Sequence, residues 1–108
     1  MSVLRVLRVA AGAALLVNAV PHGVSGVQGR PFPSPVADPP GVGMSPPPVN
    51  ITWSAANAVA GGLLLRRGVR TPGEWLAVSI AAIGTANVLA FHFGDVLRGG
   101  KGLRGLRR

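Results

Sequence analysis

The chain has 108 residues, of which 48% are hydrophobic and only 13% charged, and it contains no cysteine. Soluble domains average about 25% charged residues, so this composition points to a chain solvated by lipid. The missing cysteine excludes disulfides, thiolate metal centres and cysteine nucleophiles, and three acidic residues against eleven basic ones leave little for carboxylate catalysis.

The first apolar segment covers 3–20, with Arg5 and Arg8 close enough to its start to snorkel towards water. Pro21 biases Val20 away from helical geometry, so the sequence predicts a helix end there. A cleaved signal peptide ending near Val17-Asn18-Ala19 is the alternative reading of this segment.

A loop over 21–48 follows, in which nine of 28 residues are proline and five are glycine. That composition opposes a regular helix. Loops beyond ~12–15 residues are usually functional or disordered. Proline lowers the entropy lost on ordering, and Phe32, Val36, Val42 and Met44 offer apolar surface. The expectation is an ordered cap folded over the helix ends; docking to an SH3-like partner is the alternative.

Pro46-Pro47-Pro48 reads as a stiff, extended lead-in to a second span over 49–65. Thr71-Pro72-Gly73-Glu74 reads as a capping box, with Glu74 reaching back to the cap, and opens a third span over 72–97. At ~1.5 Å per residue the three charge-poor segments reach about 26–30 Å, close to the ~30 Å hydrocarbon core of a bilayer. Trp53 and Trp75 sit near helix starts, as interfacial anchors do. Small residues four apart, such as Ala10 and Ala14 or Asn57 and Gly61, favour close helix packing in lipid.

The tail, 98–108, carries Arg98, Lys101, Arg104, Arg107 and Arg108 among four glycines. It reads as a flexible basic arm on anionic lipid headgroups. No aromatic residue interleaves these arginines, so no nucleic acid is expected as partner. The fold class is therefore all-α: a small polytopic membrane protein with three transmembrane helices running up–down–up, multi-pass in the inner (cytoplasmic) membrane. Its amino terminus is placed inside, although five basic residues on one side against six on the other barely orient it.

No motif for catalysis, cofactor or metal is present, so the chain is not expected to be an enzyme. No acidic residue lies between Trp75 and Gly94 or in the other two segments, which argues against proton-coupled export. What remains is a polar set: Asn18, His22, Asn50, Trp53, Asn57 and His92. In an up–down–up arrangement these share one membrane face, beneath the proline-rich loop. The alternatives are histidines satisfied by loop carbonyls, a proton or ligand site, or haem or metal held by His22 and His92. Two histidines alone leave a metal such as zinc short of its usual four ligands.

The string from Asn18 through Pro21-His22-Gly23, Gly26 and Gly29-Arg30-Pro31-Phe32-Pro33 resembles a pattern in a family of small bacterial integral membrane proteins. Pro39-Pro40-Gly41, Val49-Asn50 with Trp53, and His92-Phe93-Gly94 extend the resemblance over most of the chain. It implies a compact membrane protein and supplies no reaction. The function expected is an accessory or structural component that packs against a larger membrane complex or against itself. A holin-like pore former and a haem- or metal-bearing electron-transfer subunit are the alternatives.

Overall fold

The computed structural model describes residues 2–106. Three helices, α1 (Val3–Val27), α2 (Pro47–Leu65) and α3 (Pro72–Leu97), carry the fold. A two-residue ribbon, β1 (Phe32–Pro33) with β2 (Met44–Ser45), lies between the first two, and a 3-10 turn, η1 (Gly102–Leu106), follows the third. Among the described residues two helices, α1 and α3, are long and apolar enough to cross a membrane. α2 is shorter, at 19 residues, and carries two prolines in its first turn and two asparagines, Asn50 and Asn57, further along.

The first helix does not stop at Val20. It continues through Pro21 for six further residues, so the connecting loop is shorter than 21–48. An interior proline costs ~3 kcal/mol or more, and packing against α2 offsets it here. Ser54 Oγ donates to the Ala19 carbonyl at 2.7 Å, and at Gly23 a Cβ would sit 2.7 Å from that hydroxyl. The true stop is Gly29, at φ +69°: its N–H bonds to Gly26 O at 3.1 Å, while Arg30 N–H reaches Ser25 O at 2.9 Å. These paired bonds form a glycine C-cap of the Schellman type.

α2 also starts earlier than the sequence predicts. Pro47 and Pro48 form its first turn behind Pro46, instead of an extended lead-in. First-turn residues need no amide donor, so proline costs little there. The third helix starts at Pro72 as expected, with Thr71 Oγ1 accepting from Glu74 N at 3.1 Å. The reciprocal half of the capping box is absent. The Glu74 carboxylate accepts instead from Arg70 N, one residue before the cap, and from Arg5 on α1.

α1 is the middle helix and packs against both others. Its contacts with α2 run in opposite directions: a Cβ at Gly12 would meet Leu65 and Gly61, and one at Gly26 would meet Pro47 and Ile51. Its contacts with α3 run in the same direction, from Arg5 on Glu74 to His22 beside Phe93. The result is a slab only 18 Å thick in its shortest dimension.

The loop over 28–46 is ordered by the ribbon, which pairs Phe32 with Ser45 and Pro33 with Met44. Phe32 buries itself, whereas Val36 and Met44 stay exposed, contrary to the expectation that all of them seek cover. The tail differs too. Gly100 N–H bonds to Asp95 O, Gly102 N–H to Asp95 Oδ2 at 2.9 Å, and η1 closes back on the end of α3. Arg98, Lys101 and Arg104 remain exposed on this docked segment, while Arg107 and Arg108 lie outside the described residues.

Burial is inverted relative to a water-soluble bundle. The fully covered side chains include His22, Asn50, Ser34 and Glu74, whereas Leu76, Ile80 and Ile83 are each more than 60% exposed. Polar groups inside and apolar groups outside is the arrangement expected of helices solvated by lipid.

Candidate functional site

The covered polar groups form three centres and one separate asparagine pair. The first joins α1, α2 and the ribbon. Asn50, wholly buried at the start of α2, donates through Nδ2 to Phe32 O at 3.0 Å and to Ser45 O at 3.1 Å. Its Oδ1 lies 2.7 Å from His22 Nδ1. An amide oxygen only accepts, so His22 carries its proton on Nδ1 and presents Nε2 as a lone-pair nitrogen. Beneath the ribbon the hydroxyls of Ser34 and Ser45 meet at 2.6 Å, and Ser34 O accepts from Gly41 N at 2.8 Å.

The second centre is His92, in the last turns of α3. Its Nε2 donates to Gly41 O at 2.7 Å, and its Nδ1 accepts from Leu103 N–H at 2.9 Å. Both ring nitrogens are therefore engaged by backbone, one in the loop and one in the tail. The tautomer is opposite to that of His22. Gly102 packs so tightly on this imidazole, at φ +58°, that a Cβ would collide with the ring.

Phe93 couples the two histidines. Its ring centre lies 5.6 Å from that of His22 and 5.2 Å from that of His92, and 4.6 Å from Phe32. His22 stands nearly perpendicular to both phenylalanines, an edge-to-face geometry. An apolar crevice of about 360 Å³ opens beside them between α1 and α3, lined by Val17, Val20, Pro21, Phe32, Leu89 and Phe93, among others.

Asn18 and Asn57 form a separate pair. Asn18 Nδ2 donates to Asn57 Oδ1 at 3.2 Å, and Asn57 Nδ2 donates to Trp53 O at 2.8 Å. No side-chain hydrogen bond links this pair to His22 or His92 among the described residues. The indole Nε1 of Trp53 is covered and has no partner there. The polar set expected from sequence thus divides into His22 with Asn50, Asn18 with Asn57 and Trp53, and His92 with backbone alone.

The third centre lies at the other end of the slab. Arg5 donates through Nε and Nη2 to the two Glu74 oxygens, each at 3.1 Å. Sequence reasoning gave Glu74 a capping role only and Arg5 a snorkelling one. The available signal was the scarcity of acid: three carboxylates among eleven cations make any buried one a strong candidate for pairing. Ser34, Ser45 and the backbone of Gly41 and Leu103 were also missed, because nothing in a sequence marks which loop carbonyl or amide meets a side chain.

The hydrogen-bonding capacity of these centres is largely taken up within the fold. Each Asn50 donor is spent, both His92 nitrogens are bonded, and no hydroxyl or carboxylate is bonded to His22. His22 Nε2 is the one ring nitrogen without a hydrogen-bond partner among the described residues, and its ring lies against Phe32 and Phe93. Among the described residues no group of three or more His, Cys, Asp or Glu could hold a metal. No protein-family model, curated protein or solved structure matches the chain.

Proposed function

We propose that this is a small bacterial inner-membrane protein with three spans running up–down–up, acting as an accessory or structural component that packs against itself or a larger membrane complex. One observation carries the reading: most of the fully covered side chains are polar and hydrogen-bonded, while the large apolar side chains face out. A contiguous exposed apolar surface of that kind needs lipid or a partner to cover it. α1 and α3 have the length and hydropathy of spans. At ~1.5 Å per residue α2 reaches about 28 Å, enough for a third crossing whose asparagines are shielded by α1 and the ribbon.

A pore-forming role has less support. Asn18, His22, Asn50, Asn57 and His92, which would line a pore, are bonded to one another or to backbone inside the fold. A haem- or metal-bearing role is also disfavoured, because His92 would have to release the loop or the tail before ligating anything. The exposed cations Arg98, Lys101 and Arg104 suit anionic headgroups, each worth ~1 kcal/mol near the surface. Alkaline carbonate extraction of membranes expressing the chain tests the reading. The protein should stay in the pellet, and release into the supernatant would overturn it.

A further inference from the structure

The outward stripe of α3 carries a polar group that the fold leaves unused. Asn87 lies near the middle of this 26-residue helix, on its exposed side. One amide N–H bonds to Ile83 O at 2.8 Å, within its own helix. The second N–H and the amide oxygen have no partner among the described residues. In hydrocarbon such a group is costly, because no water can satisfy it.

The surroundings of Asn87 are patterned. Leu76, Ile80, Ile83, Asn87, Ala90 and Gly94 follow one another at alternating spacings of four and three. Leu76, Ile80 and Ile83 are 62–64% exposed. A 3-4 alternation is the seam of a helix pair, and a single asparagine at an a-type position fixes its register and favours a dimer. A primary amide is self-complementary: its N–H fits the oxygen of an identical group. Two copies inserted the same way carry Asn87 at the same depth, where a two-fold axis between the helices would bring the amides together.

We infer that α3 of one copy packs in parallel against α3 of a second copy along this stripe, with the Asn87 side chains hydrogen-bonded across the seam. The inference rests on the membrane reading above and names the surface for self-association. The small Ala90 lets the helices approach beyond Asn87, up to the point where the Arg98 guanidinium lies over Gly94, and the isoleucines fill the seam towards Trp75.

The chain has no cysteine, so single-cysteine variants report cleanly. Purified protein is reconstituted into phosphatidylcholine vesicles, floated to verify insertion, and oxidised. Ile83→Cys and Leu76→Cys, both on the seam, should give a disulfide-linked dimer, whereas Val88→Cys, on the neighbouring face, should not. Adding Asn87→Leu to Ile83→Cys should raise the protein-to-lipid ratio for half-maximal cross-linking about tenfold, the worth of one interhelical hydrogen-bond pair. Failure to float overturns the membrane reading and this inference with it. Flotation with no seam-specific cross-link, or with no effect of Asn87→Leu, overturns the inference alone.

Discussion

Arg5 and Glu74 form a two-pronged ion pair that ties the start of α1 to the start of α3, and Glu74 is only 1% exposed. The carboxylate also accepts from Arg70 N, at the end of the α2–α3 connection, so three segments meet on one side chain. Removing one partner of a covered pair strands the other, which costs more than removing both. Arg5→Leu should therefore lower the thermal midpoint in detergent more than the double change Arg5→Leu with Glu74→Leu. Circular dichroism melting of the two variants checks this; an equal or larger loss in the double variant would count against it.

Asn50 is the clamp at the other end. Asn50→Ala strands the His22 N–H and the carbonyls of Phe32 and Ser45, and each stranded buried group costs ~1–3 kcal/mol. The expected loss is about 3 kcal/mol or more, with the loop opening first. Proteinase K should then cut within 28–46 at times when the parent protein is intact there. Unchanged protection of the loop would show that the amide is not its clamp.

His92 is expected to hold the tail. In His92→Ala the Leu103 N–H loses its acceptor, and trypsin should cut after Lys101 and Arg104 about tenfold faster, as for one lost bond of ~1.4 kcal/mol. Mass spectrometry of a digestion time course reads it. Equal rates would mean that η1 is held by Asp95 alone.

Two adjacent glycines give a steric test. At Gly61 a Cβ would lie 2.8 Å from Gly12 O, whereas at Gly62 nothing lies within 4 Å. Gly61→Ala should destabilise by about 1–3 kcal/mol through overpacking. Gly62→Ala should be neutral or gain up to ~1 kcal/mol of helix propensity. Thermal unfolding of both variants separates these outcomes.

The sequence made the helices legible because lipid-type burial needs only long, charge-free runs. It misplaced the end of α1, where distant contacts overrode a local rule, and the start of α2, where proline fits the first turn. Pro21 is a local stop, yet Ser54, Ile51 and Asn50 hold the chain helical beyond it. Glycine makes 98–106 look mobile, yet Gly102 is there because only glycine fits against His92. The polar residues could be named, since asparagine and histidine stand out in an apolar chain. Their division into separate centres could not, because five of their seven hydrogen bonds end on backbone groups. Arg5 and Glu74, 69 residues apart, left no local trace of their pairing.

The central claim, a protein that crosses the membrane three times, is tested most directly by topology reporters in bacterial cells. Fusions placed after Arg70 and after Arg108 should report opposite compartments, because α3 would lie between them as a span. Both fusions reading cytoplasmic would contradict the account.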